Sequence, residues 1–150
     1  MTSEGLIQQR VVVGVDGSAE SVAALGWAAR YAQQAGATVR AVLAWHYPGA
    51  VGGPPVEVSP LRQETEQQKQ NRLNEVVAQV YPGPGPDNNV QAKVSYGHPA
   101  EVLIDESKDA DLLVVGHRGH GGFPGMHIGS VTIHCVNAAQ CPVTVVRTKT

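Results

Sequence analysis

The chain has 150 residues, of which 42% are hydrophobic and 16% charged, and its net charge is −2. A length of this order suits one domain able to bury roughly 70% of its unfolded surface, and the composition is too apolar for a disordered tail. Apolar runs such as Val11 to Val13 and Leu112 to Val115 fall far short of the roughly 18 residues that span a bilayer, and the basic residues do not cluster. Neither a membrane nor nucleic acid is expected as a partner.

Arg10 to Asp16 is a short β-branched run closed by Gly17-Ser18, which reads as a strand ending at Asp16. Ser18 is a good N-cap for a helix with Val22, Leu25, Ala29 and Ala32 at helical spacing, stopping at Gly36. Thr38 to Trp45 reads as a second strand, and Tyr47 to Pro60, rich in Pro and Gly, as a long loop. Ser59-Pro60 places a cap before an N1 proline, and Leu61, Leu73, Val76, Val77 and Val80 supply the inner stripe of a second helix ending near Tyr81. The segment Pro82 to Asp87 cannot continue a helix and serves as a connector. Val90 to Tyr96 alternates apolar and polar residues as an edge strand does. Pro99 opens a third helix through Ser107, Leu112 to Val115 is the most apolar strand, and a loop runs from Gly116 to Ile128. A fourth helix, about Ser130 to Gln140, and a fifth strand, Pro142 to Arg147, close the chain.

Strictly alternating strands and helices imply an α/β domain over 1–150, a five-stranded parallel sheet with helices on both faces. The wettest strand, the third, belongs on an edge, and the driest, the first and fourth, belong in the centre. That favours the Rossmann-like order 3-2-1-4-5, whose winding reverses between strands one and four. A ligand is expected at the carboxyl ends of those two strands, where Asp16 to Ser18 and Gly116 to Ser130 lie.

The second of these segments is rich in glycine. Gly116 and Gly119 are separated by two residues, and nine more precede Gly129 and Ser130 at the start of the fourth helix. Glycines let backbone N–H groups approach an anion, and a helix N-terminus adds about half a positive charge. The competing reading is a loop that only turns the chain. No G-x-x-x-x-G-K-[ST] is present, and none of the four lysines, Lys69, Lys93, Lys108 and Lys149, falls in this loop, so a Walker A site is excluded. There is no G-x-G-x-x-G after strand one and no acid between Glu20 and Glu57 to hold a ribose, which makes a dinucleotide site improbable. Asp16 is the lone acid at a strand's carboxyl end, which disfavours a phospho-acceptor receiver domain.

Val12-Val13-Gly14-Val15-Asp16-Gly17-Ser18, Gly97-His98-Pro99-Ala100, Ala110 to Gly116 and Cys141 to Val146 together resemble the universal stress protein family over essentially the whole chain. The pattern G-2x-G-9x-G-[ST], matched by Gly116, Gly119, Gly129 and Ser130, marks that family's ATP-binding branch. The resemblance implies a homodimer that binds ATP, with Asp16 near the ribose or adenine edge and Gly14, Val15 and Ala44 lining the base. It also implies that Val115, Gly116, Arg118, Gly119, Gly129, Ser130 and Val131 surround the ribose and phosphates. His117 stands where relatives often carry Ser, and His127 where an aliphatic residue is usual.

Mg²⁺ is expected to accompany ATP, bridging phosphates and water, because the loop offers few metal ligands. His117, His120, His127 and His134 have the loose spacing of solvated loop histidines, with nucleotide contact and a metal site as the other readings. Arg118 could pair bidentately with a phosphate or stand as a surface arginine. Trp27 and Tyr31, at i, i+4, read as helix packing, while Trp45 and Tyr47 are candidates to flank the adenine. No catalytic motif and no general base for water appear, which favours a nucleotide-binding regulatory protein. A slow ATPase, or a structural dimer that no longer binds nucleotide, are the alternatives. Strand five, apolar through Val143, Val145 and Val146 and without an interior proline or lysine, is an edge expected to pair with its own copy, and Val131, Ile133, Val136 and Ala139 extend that apolar surface. Cys135 and Cys141 read as buried free thiols, and Met1 to Gly5 lacks the basic start of a signal peptide, so a cytoplasmic location is expected.

Overall fold

The computed structural model describes residues 8–45, 65–81, 89–118 and 128–148. In chain order they form β1 (Arg10–Gly14), α1 (Ala19–Ala35), β2 (Thr38–Trp45), α2 (Glu66–Val80), β3 (Val90–Tyr96), α3 (Pro99–Glu106), β4 (Leu112–Gly116), α4 (Ser130–Ala138) and β5 (Val143–Val146). All strand pairs are parallel, in the expected order β3-β2-β1-β4-β5. Val12 lies level with Arg40 of β2 on one side and Leu113 of β4 on the other.

The two central strands are dry because both of their faces are covered. Val11, Val13 and Val15 join Val39, Ala41 and Leu43 beneath α1 and α2, which contribute Leu25, Ala28 and Leu73. Val12, Val42, Leu113 and Val115 face the opposite way, against Val102 and Leu103 of α3 and Cys135 of α4. Each fully buried Val or Leu contributes about 1.5–3 kcal/mol. At the β3 edge the α3-side face is polar, and one carboxylate closes it: Glu106 takes Arg40 at 3.1 Å and Lys93 at 2.7 Å. Cys135 is buried and Cys141 half-buried, both free, and burial pushes the Cys135 thiol up to about 11. The Cys141 thiol is raised as well, chiefly by burial. Among the described residues no helix is long and apolar enough to cross a membrane.

Several boundaries differ from those expected. β1 ends at Gly14, because Asp16 turns its carboxylate onto the Ser18 N–H and leads the chain out of the sheet. The inner stripe of α1 is Ser21, Ala24, Leu25, Ala28 and Ala32; Val22 and Ala29 lie at its margin, and Gly36 caps the helix in the left-handed conformation. Trp27 and Tyr31 stack with centroids 5.4 Å apart against this core, as helix packing. α2 does not begin at Pro60. Thr65 is extended and accepts the Gln68 N–H, while the Gln68 side chain accepts the Thr65 N–H, a full capping box. α4 stops at Ala138, two residues earlier than expected, and β5 is trimmed to Val143–Val146. The Tyr47–Pro60 loop, the Ser59-Pro60 cap, Leu61 and the Pro82–Asp87 connector lie outside the described residues.

The capping box yields a direct test of where α2 starts. Thr65→Ala removes the acceptor for Gln68 N–H and is expected to lower stability by about 1 kcal/mol in urea unfolding. An unchanged midpoint would place the start of the helix elsewhere.

Candidate functional site

At the carboxyl ends of β1 and β4, where the winding reverses, a cavity of about 270 Å³ opens among the first residues of three helices. Val15, Val42, Ala44, Leu103 and Val115 form its apolar floor, and Asp16, Ser18, Ser21, Arg118, Ser130 and Thr132 its polar rim. The lining also includes Gly14, Gly116, Gly129 and Val131, so ten of the eleven sequence-predicted site residues meet here. Gly119 lies outside the described residues. Sequence reasoning passed over Ser21, Val42, Pro99, Leu103 and Thr132. Val42 could have been found by strand parity, since it shares a face with Ala44.

The β1–α1 corner is held by its own side chains. Asp16 Oδ1 accepts the Ser18 N–H at 2.9 Å and the Ser18 hydroxyl, and Ser18 Oγ accepts the Ser21 N–H at 3.2 Å. The Ser21 hydroxyl donates to Ser18 O at 2.9 Å and accepts the Asp16 N–H at 3.3 Å. The first turn of α1 is thereby capped from within. α3 begins at Pro99, which has no N–H to offer, and its N-cap His98 makes no side-chain capping bond.

The β4–α4 corner is built differently. Gly129 is the extended N-cap of α4 and has no side chain to cap with, and its own N–H is taken by His117 O at 2.9 Å. The first bond back along the helix is Ile133 N–H to Gly129 O, at 3.0 Å. The N–H groups of Ser130, Val131 and Thr132 therefore precede the first intrahelical bond, at the cavity wall, and carry the positive end of the helix dipole. The Thr132 hydroxyl donates to Gly116 O at 2.7 Å, and His117 N–H donates to Val146 O of β5 at 2.8 Å.

Two glycines let the helices come this close. A Cβ on Gly116 would sit 2.9 Å from the backbone of Glu20 in the first turn of α1, and one on Gly14 would sit 2.7 Å from Leu103 Cδ1. Other candidates fall away from the cavity. Trp45 points to the opposite face of the sheet, edge-on to Tyr96 at 4.9 Å with the Lys69 ammonium 4.6 Å from its ring centre, so it does not flank the site. Tyr47, His120 and His127 lie outside the described residues, and His134 is exposed on α4. Among the described residues no three His, Cys, Asp or Glu side chains gather as metal ligands.

A doubly wound parallel sheet with a cleft at its reversal point is the architecture of ligand-binding α/β proteins. Within that class the chain belongs to the universal stress protein family, whose family model matches residues 8–147. It is 36% identical over 137 residues to the universal stress protein Rv1996 of Mycobacterium tuberculosis, a match covering 91% of this chain and 43% of that protein. The chain thus spans less than half the length of the curated relatives it matches. Among solved structures it is similar to the universal stress protein UspA from Lactobacillus plantarum, with TM-score 0.67 and 23% identity over 93% of this chain and 97% of that one. A universal stress protein in complex with cAMP superposes with TM-score 0.64 and 25% identity, covering 95% and 98% of the two chains. The universal stress protein from Archaeoglobus fulgidus in complex with dAMP gives 0.60 and 21%, covering 93% and 98%.

The two close approaches differ in what can yield. Gly116→Ala presses on backbone and is expected to cost about 1–3 kcal/mol, whereas Gly14→Ala meets the end of a flexible leucine and costs less. Thermal melts of the two variants check this order, and a Gly14 variant that melts lower would reverse it.

Proposed function

We propose that this protein is a nucleotide-dependent regulatory member of its family that binds ATP with Mg²⁺ in the β1/β4 cleft. The observation that carries the reading is the α4 N-terminus, left without a side-chain cap at the wall of an apolar-floored cavity while the neighbouring α1 terminus is capped internally. Three N–H groups at one end of a cavity suit a phosphate, and the apolar floor suits a flat base. The residues fit the parts of a nucleotide in turn: Gly14, Val15 and Ala44 beneath the base, Asp16 at the ribose or adenine edge, and Val115, Gly116, Arg118, Gly129, Ser130 and Val131 around ribose and phosphates. Gly119 completes the G-2x-G-9x-G-S pattern in sequence. That two structurally similar family members are in complex with cAMP and dAMP supports adenine as the base. Mg²⁺ arrives on the phosphates, since Asp16 is the one carboxylate among the described lining residues and it already serves Ser18. With that carboxylate committed, the site suits binding better than turnover.

Calorimetry with ATP, ADP and AMP tests the reading. Saturable binding to the unaltered protein is expected, and no heat at millimolar nucleotide would overturn it. Asp16→Asn keeps an oxygen for Ser18 while removing the charge, and it is expected to weaken ATP by on the order of 1–3 kcal/mol with an unchanged melt. Asp16→Ala also strips the α1 cap and should lower both affinity and melting temperature.

We further propose a homodimer joined through β5. Ile133 and Val136 of α4 are 44% and 52% exposed beside an edge strand of valines, a surface that invites a partner. A two-fold axis would pair β5 antiparallel with its copy. Leu113 N–H bonds Pro142 O and His117 N–H bonds Val146 O, so the even-numbered residues of β5 face β4 while Val143 and Val145 turn their backbone groups outward. Val145→Pro therefore removes an edge donor and leaves the internal ladder intact, whereas Thr144→Pro damages the sheet. Light scattering is expected to find a dimer for the unaltered chain and a folded monomer for Val145→Pro. A monomer at tens of micromolar for the unaltered chain would contradict the assignment. A cytosolic setting fits the two free thiols.

A further inference from the structure

Thr132 stands two positions beyond Ser130, outside the glycine pattern, yet it is 3% exposed and lines the cavity. Its hydroxyl meets a specific need. β4 outruns its pairing with β1 by two residues, the last pair being Val13 with Val114, so on the β1 side the Gly116 carbonyl has no strand partner. A part-buried carbonyl in that position needs a donor, and Thr132 Oγ1 supplies it at 2.7 Å. One residue further on, His117 O takes the Gly129 N–H at 2.9 Å. The two bonds form a double clamp, with Gly116 and His117 on the strand side and Gly129 and Thr132 on the helix side. Between its helix-side members lie Ser130 and Val131, whose N–H groups start the helix.

We propose that Thr132 is a positioning residue for the phosphate end of the nucleotide site: by bonding Gly116 O it fixes the first turn of α4 so that its unbonded N–H groups stay aimed at the cavity. The proposal rests on the nucleotide reading above and assigns Thr132 no contact with the ligand through its side chain. The consequence is a division of labour along the ligand. The base is held by Gly14, Val15 and Ala44, which the clamp does not touch, while the phosphates depend on the turn that it sets.

The test uses Thr132→Val, which keeps the shape and loses the donor, and Thr132→Ser, which keeps the donor. Calorimetry compares adenosine, AMP and ATP on the full chain. Thr132→Val is expected to weaken AMP and ATP about tenfold, the scale of one buried hydrogen bond, while adenosine changes less than about twofold and Thr132→Ser restores phosphate binding. Equal loss for adenosine and AMP would overturn the proposal, as would AMP and ATP binding to Thr132→Val at the affinity of the unaltered protein. Loss of far-UV dichroism in Thr132→Val would also overturn it, by making Thr132 a requirement of the whole fold. If the unaltered protein binds no adenine nucleotide, the nucleotide reading fails, and amide exchange in the ligand-free protein separates that failure from the clamp itself. The clamp predicts faster exchange at Gly129 and Ile133 in Thr132→Val, and unchanged exchange at both would refute it.

Discussion

The first turn of a helix leaves backbone N–H groups with no partner inside the helix, and the way each is satisfied decides what the neighbouring cleft can hold. Three helices begin at the cleft between β1 and β4, and each resolves the problem differently. α1 answers with Ser18, whose hydroxyl accepts the Ser21 N–H and is itself held by Asp16. α3 reduces the need by starting at Pro99. α4 begins at a glycine whose own N–H is spent on the loop, so the donors behind it are left at the cavity wall. On the nucleotide reading we propose, the asymmetry among these termini, more than the glycine content of the loop, would give the cleft a phosphate end and an opposite end.

That arrangement depends on the sheet. With β1 and β4 adjacent, α1 and α4 descend on opposite faces, and residues at the starts of both border the cavity at the strand ends. At Gly116 the end of β4 comes up against α1, since any side chain there would press on the Glu20 backbone. The same short segment reaches outward as well, because His117 accepts from Gly129 with its carbonyl and donates to Val146 of β5 with its N–H. One residue therefore joins the N-cap of α4 to the edge strand that we propose pairs with a second copy. The residues that would feel a phosphate and those that would feel a partner are two hydrogen bonds apart.

Much of this was legible in the sequence, for reasons that can be located. The order of strands followed from right-handed crossovers together with hydration: Val90, Ala92 and Val94 alternate with polar residues, whereas Val11 to Val13 and Leu112 to Val115 do not. The position of the candidate cleft followed from that order together with the spacing of Gly116, Gly119, Gly129 and Ser130, whereas Gly14, Val15, Ala44, Arg118 and Val131 were implied by the family resemblance. What escaped was information that local sequence does not carry. α1 has alanines around much of its circumference, so periodicity could not choose between a stripe through Val22 and Ala29 and the actual one through Ala24 and Ala28. Ser59-Pro60 and Thr65 to Gln68 are both reasonable starts for α2, and it is the reciprocal bonding of Thr65 and Gln68 that places the N-terminus at Glu66. Trp45 could have been set aside in advance, because once Ala44 is placed in the site strand alternation sends its neighbour to the other face. Thr132 could not have been found this way, since the carbonyl it satisfies is left over only after β4 has outrun β1.

We propose that the open first turn of α4 receives an anion, and backbone amide chemical shifts followed during a titration with AMP report on that contact. The largest changes are expected on Ser130, Val131 and Thr132, with Ser21, already capped by Ser18, moving much less. Changes concentrated at the opposite end of the sheet, around Arg10 and Thr38, or an α4 terminus that does not respond while AMP binds, would contradict it.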